Sequence, residues 1–148
     1  GGKTADDDDF LARVRGRLAA AGAADAVEFL PNPGRARKLD FLRGLSVLSV
    51  PATFGEAFGF YILEALAMRV PVAQPRHGSY PELVEATGGG VLCEPGDAAA
   101  LADALEGLLL DRAKLVELGA RGQAAVRERF SVERTAADMA AVCAQVMR

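Results

Sequence analysis

Apolar residues in this chain fall into short continuous runs separated by stretches in which they recur every three or four positions, the pattern of strands alternating with amphipathic helices. Thr4 precedes a first helical stretch: Asp6, Asp7, Asp8 and Asp9 fill its opening turn, Phe10, Leu11, Val14 and Leu18 line one face, and Gly22 ends it. Val27-Glu28-Phe29-Leu30 reads as a short strand closed by Pro31-Asn32-Pro33-Gly34, a turn that neither a helix nor a central strand tolerates. Arg35, Arg37 and Lys38 then accompany Leu39, Phe41 and Leu42 on a basic amphipathic helix.

Ser46-Val47-Leu48-Ser49-Val50, ended by Pro51, predicts a buried strand, and a helix is expected to begin near Phe58. Pro71 to Pro75 predicts a further strand, and Ser79-x-x-Glu82 has the capping-box spacing of a helix carrying Leu83 and Val84. The glycines at 88 to 90 turn the chain into strand Val91-Leu92-Cys93. From Asp97 onward the pattern is wholly helical. Leu101, Leu105, Leu108 and Leu109 share one face, followed by Leu115, Leu118 and Val126, and then by Val132, Met139, Val142 and Val146 after a Ser131 cap. The predicted class is α/β: a Rossmann-like parallel sheet with right-handed crossovers, flanked by helices and extended by further C-terminal helices.

At 148 residues and net charge -3 the chain has the size of one ordinary domain, able to bury roughly 70% of its unfolded surface. The acidic balance argues against a nucleic-acid partner. Cys93 and Cys143 lie far apart outside any CxxC pattern, and read as buried small apolar residues in a reducing cytoplasm. No run approaches the ~18 apolar residues of a membrane span, and no signal peptide opens the chain. The aspartate run contains an Asp-x-Asp, open to a metal-ligand reading, although carboxylates in a helix's first turn more simply offset its dipole.

The candidate chemistry concentrates in Gly55-Glu56-Ala57-Phe58-Gly59-Phe60-Tyr61-Ile62-Leu63-Glu64, where seven residues separate two glutamates across a glycine-containing turn into a helix. Such a helix start, just past a strand's carboxyl end, aims N–H groups and the positive end of its dipole at the position where α/β sheets bind phosphates. On one continuous helix the two glutamates would stand about 12 Å apart, far wider than the ~5 Å of a retaining glycosidase's carboxylate pair. Taken alone, Glu64 reads as a surface ion-pair partner and Glu56 as a turn residue. His77 is the chain's only histidine, and supports neither a metal site nor a catalytic triad.

The segment from Glu56 to Glu64 resembles the donor-binding motif of retaining glycosyltransferases of the GT-B fold, the large family 4 group. Further landmarks follow in the same order: Arg69-Val70-Pro71-Val72, His77-Gly78-Ser79-Tyr80-Pro81-Glu82, Gly88 to Leu92, Glu94-Pro95-Gly96-Asp97 and Arg129-Phe130-Ser131. The resemblance covers about residues 27 to 148 and implies the C-terminal half of such an enzyme, one partial donor-binding domain over 1–148 with the N-terminal acceptor domain absent. The opening Gly1-Gly2-Lys3-Thr4 has no initiator methionine and reads as a strand's tail, so the chain is expected to be a piece of a longer polypeptide.

The resemblance implies a function: transfer of a sugar from a nucleotide-diphosphate sugar to a saccharide, lipid or small-molecule acceptor hydroxyl. The resemblance implies that no metal or other cofactor takes part. Glu56 is the implied catalytic residue, directed at the sugar. Gly59, Phe60 and Tyr61 would give backbone N–H groups to the diphosphate, Glu64 would accept from the ribose hydroxyls, and His77 and Gly78 would approach the donor. The loop at Asn32 would border the base. The resemblance implies a front-face attack by the acceptor, and the fragment alone is expected to be inactive. The implied location is cytoplasmic, with peripheral membrane docking of the full-length protein open. Arg69 stands where the family's usual glycine ends a helix left-handed, and His77 and Ser79 depart from the commoner paired glycines. The alternatives are a non-catalytic nucleotide-binding α/β module, or another GT-B enzyme such as a sugar-nucleotide epimerase or a glycogen-type phosphorylase.

Overall fold

A computed structural model describes residues 2–147, and the chain divides into two compact units, Gly1–Asp40 and Phe41–Arg148. The first unit begins with reciprocal capping. The Thr4 N–H donates to Asp7 Oδ2 at 2.8 Å and the Thr4 hydroxyl donates to the same oxygen at 3.2 Å, opening a 3-10 turn over Ala5–Asp7 that runs into α1 (Asp8–Ala20). The backbone hydrogen bond from Thr4 holds the Asp7 carboxyl below the usual carboxylate range, with smaller help from the Thr4 hydroxyl and Lys3. Lys3 pairs with Asp8 at 2.6 Å, so Asp7 and Asp8 are engaged in local capping and pairing. Among the described residues, no three His, Cys, Asp or Glu side chains are grouped to hold a metal ion.

The expected strand at Val27–Leu30 is not formed. Val27 takes extended angles, but no ladder joins these residues to a neighbour among the described residues, and an extended segment without one is not a stable strand. The Arg15 guanidinium covers the Phe29 ring instead, 4.8 Å from its centroid. Gly2 to Thr4 likewise form no strand, and Gly1 lies outside the described residues. Helix α2 (Arg35–Gly44) forms as its pattern predicts, and Leu42 is its buried residue.

The second unit is built on two parallel strands, β1 (Val72–Pro75) and β2 (Gly90–Cys93), with Val72 opposite Gly90 and Pro75 opposite Cys93. They are joined through α4 (Tyr80–Thr87), the crossover helix that a parallel pair requires. The strand expected at 46–50 is reduced to a single parallel bridge between Leu48 and Val72. Leu48 N–H donates to Pro71 O at 2.9 Å and Leu48 O accepts from Ala73 N–H at 3.0 Å, but Val50 N–H then donates to the side-chain Oε1 of Gln74 at 3.1 Å. That wholly buried side chain takes the place of a backbone acceptor and ends the ladder.

Helix α3 (Phe60–Ala67) begins two residues later than expected, after Gly59 in a left-handed conformation at φ 86. Its buried face, Ile62, Ala65 and Leu66, joins Val70, Val72, Leu83 and Val84 in the main core. Three helices follow: α5 (Ala98–Leu109), α6 (Arg112–Arg129) and α7 (Val132–Val146). Each is capped by a side chain: Asp97 accepts from Ala99 and Ala100, Asp111 from Lys114, and Ser131 from Arg134. Leu108, Leu118 and Val126 are buried as their spacing implies, whereas Leu109 is exposed.

Helix α7 departs from expectation. Val132, Met139, Val142 and Val146 are 54–82% exposed, because no described element covers the face they form. Cys143 lies on the same helix and is exposed rather than buried. Cys93 is half-buried, its thiol donating to Gln74 O at 3.5 Å and pushed up in pKa by burial.

Candidate functional site

Two loops of the second unit meet at the carboxyl ends of Leu48 and β1. The first leads from Pro51 to Gly59 and α3; the second, Arg76 to Ser79, leads from β1 to α4. Glu56 lies in the first and is half-buried. Its carboxylate folds back onto its own segment: Oε1 accepts from Phe58 N–H at 3.3 Å and Oε2 from the Tyr61 hydroxyl at 3.0 Å. A carboxylate has about four lone-pair positions, so acceptor capacity remains on both oxygens.

The second loop is clamped onto the first. Ser79 N–H donates to Glu56 O at 3.0 Å, and the Ser79 hydroxyl donates to Phe58 O at 2.8 Å. This corrects the capping-box reading: Ser79 precedes α4 with helical backbone angles and no side-chain cap bond, because its hydroxyl is committed across the two loops. Gly78 has φ 55, and a Cβ there would lie 2.6 Å from Glu56 N and 2.7 Å from Glu56 O. No residue with a side chain fits that backbone-to-backbone approach. The His77 ring stands beside Gly55, its Nε2 3.8 Å from where a Cβ on that glycine would be.

Glu56, Gly59, Phe60, Tyr61, His77 and Gly78 are therefore gathered by these two loops and the start of α3. The N–H groups of Phe60 and Tyr61 precede the first intrahelical acceptor, as at any helix start. Glu64 is half-buried one turn further on. Helical geometry sets it at an angle between Phe60 and Tyr61, on the side away from the core-facing Ile62 and Leu66. Phe60 is 72% exposed, with its ring 4.7 Å from that of Phe58. Asn32 belongs to the other unit, where its side chain accepts from Lys3 N–H at 2.8 Å and donates to Lys3 O at 2.9 Å.

Sequence reasoning missed Tyr80. It is wholly buried at the start of α4, its hydroxyl 2.5 Å from that of Tyr61 and its ring edge-on to the Tyr61 ring at 6.5 Å. The chain has only two tyrosines, one in each motif segment, and that coincidence was the available signal. Burial, then the hydrogen bonds to Tyr80 and Glu56, push the Tyr61 phenol far above its ordinary range, so it keeps its proton at any ordinary pH.

The sequence profile of the family described as Glycosyl transferases group 1 matches residues 4–125. The chain belongs to this family. Among its relatives, the lipopolysaccharide core biosynthesis mannosyltransferase LpsB of Rhizobium meliloti (strain 1021) is 34% identical over 144 residues, 94% of this chain and 39% of that protein. The D-inositol 3-phosphate glycosyltransferase of Streptomyces griseus is 36% identical over 132 residues, 89% of this chain and 27% of its own length. The chain thus spans well under half of these relatives.

Solved GT-B glycosyltransferases share the fold. Sucrose-phosphate synthase from Thermosynechococcus elongatus superposes with a TM-score of 0.85 at 28% identity, over 99% of this chain and 37% of that one. Alr3699/HepE from Anabaena, in complex with UDP, superposes with a TM-score of 0.87 at 25% identity, over 97% of this chain and 39% of that one. Among the described residues of this group 1 chain, no helix is long and apolar enough to cross a membrane.

Proposed function

We propose that this chain is the donor-binding domain of a retaining glycosyltransferase of the family 4 type, moving a sugar from a nucleotide-diphosphate sugar to an acceptor hydroxyl held by a second domain. The observation that carries the reading is the clamp of the Gly78 loop onto Glu56 at the start of α3, which sets a carboxylate, free acceptor capacity and helix-start N–H groups side by side. The N–H groups of Gly59, Phe60 and Tyr61 receive the diphosphate, whose negative charge grows as the sugar leaves. Glu64 takes the ribose hydroxyls. Glu56 orients the sugar hydroxyls, while His77 and Gly78 close over the donor. The acceptor attacks on the face the diphosphate leaves, which keeps the configuration at the sugar carbon. No metal enters this scheme, in which the N–H groups at the start of α3 meet the charge of the diphosphate.

The test is an NMR titration of the chain with UDP, GDP and ADP at millimolar concentration. Shifts are expected at Glu56 to Glu64 and at His77 and Gly78, with one base preferred. A hydrogen bond to a charged group contributes about 1.5–3 kcal/mol, so Glu64→Ala should weaken nucleotide binding roughly 10- to 100-fold. Unchanged affinity in that variant removes the ribose assignment, and shifts at neither loop with any nucleotide remove the donor site.

A further inference from the structure

We propose that Tyr61 and Tyr80 form a positioning relay for Glu56, the buried Tyr80 hydroxyl fixing the Tyr61 hydroxyl and the latter fixing Glu56 Oε2. The inference rests on the donor-site reading of Glu56 and adds two residues to it. Proton accounting assigns the direction of the chain. An ionised carboxylate has no proton to give, so the Tyr61 hydroxyl donates to Glu56 at 3.0 Å. Its only proton is then spent, and the 2.5 Å contact with Tyr80 must be a bond in which Tyr80 donates. Both hydroxyls are satisfied, and Glu56 Oε2 is the terminal acceptor.

Packing alone does not account for the pair. Tyr80 is wholly buried, where a hydroxyl without a partner is costly and a phenylalanine would pack as well without it. The relay also joins side chains from three segments, the Glu56 loop, α3 and α4. It runs beside the two bonds from Ser79 to Glu56 O and Phe58 O, and adds a side-chain link from α4 through α3 to the Glu56 loop. A carboxylate on a loop is mobile by default, and such a relay holds it in one orientation while the sugar hydroxyls are engaged.

The experiment measures hydrolysis of UDP-, GDP- and ADP-linked glucose and mannose by the full-length enzyme, with kcat, donor KM and Tm for Tyr61→Phe, Tyr80→Phe and Glu56→Gln. Tyr61→Phe is expected to lower kcat roughly 10-fold with donor KM within about twofold, and Tyr80→Phe to lower it about threefold. In a Glu56→Gln background, Tyr61→Phe should lower kcat no further, because both act through one carboxylate. Loss of Tm with kcat intact, or effects that add fully to those of Glu56→Gln, overturns the relay. If Glu56→Gln loses kcat while both tyrosine variants keep it, the relay fails and the donor site stands. If the unaltered enzyme hydrolyses none of the six donors and binds none of UDP, GDP or ADP, the donor-site reading fails and takes the relay with it.

Discussion

Arg69 sits at φ 65, a left-handed conformation whose cost for a residue with a Cβ is roughly 1–2 kcal/mol. The surrounding hydrogen bonds explain why the chain accepts it. Val70 N–H reaches Ala65 O at 3.0 Å and Arg69 N–H reaches Leu66 O at 2.9 Å, the two bonds of a Schellman ending, with Val70 and Ala65 both buried beneath it. Arg69→Gly relieves the strain but adds freedom to the unfolded chain, so urea denaturation should show a net gain of about 0.5–1 kcal/mol. A loss would mean that the arginine side chain itself stabilises the turn. The need for a left-handed residue here was legible from the ordered landmarks, and the structure keeps the turn despite the substitution. Ser79 was legible only in part: its position before a helix is right, but a hydroxyl chooses among acceptors in space, and Phe58 O is closer to its purpose than its own helix.

At the scale of elements, close packing sets the sign of otherwise similar substitutions. A Cβ at Gly122 in α6 would lie 2.6 Å from Leu66 Cδ2 and 3.0 Å from Gly89 Cα, and Leu66 is wholly buried and cannot give way. At Gly107 in α5 the same Cβ meets nothing within 4 Å. Gly107→Ala should therefore stabilise by about 0.5–1 kcal/mol through helix propensity, whereas Gly122→Ala should destabilise by about 1–3 kcal/mol through overpacking, both read from thermal melts. Equal signs would show that α3 and α6 are less tightly opposed than the structure has them. The helices themselves were readable because their signals are local: Ser131 caps where expected, α5 begins at the expected Asp97, and Leu108, Leu118 and Val126 fall inward. Strands are not local. Val27 to Leu30 and Ser46 to Val50 carry the right residues, yet among the described residues the first belongs to no strand and the second stops at Gln74, since pairing depends on a neighbour the local pattern does not describe. Helix α7 makes the same point, for its spacing defines an apolar face and says nothing of whether anything covers it.

Across the whole molecule, burial is unevenly shared between the two units. No described residue of the first reaches the interior, while Ile62, Leu66, Val72 and Tyr80 in the second are wholly buried. Ordering a residue costs roughly 1–2 kcal/mol of backbone entropy, and burial of apolar surface is the main term that offsets it. The first unit holds α1 by the Thr4 and Asp7 cap, by exposed ion pairs and by half-buried Leu11, Val14 and Leu18, each a small contribution. Native-state hydrogen exchange should therefore find α1 amides opening at low free energy and those of α3 and β1 opening only with global unfolding, a difference of at least about 100-fold in protection. Urea should remove α1 protection first. Nucleotide should raise protection in the second unit, because the loops of Glu56 and Gly78 draw on the α3 and β1 core for their geometry. Equal protection of α1 and α3 would instead make the chain one cooperative body, and the stability of the donor loops would then depend on the cap at Thr4 as much as on the core beneath them.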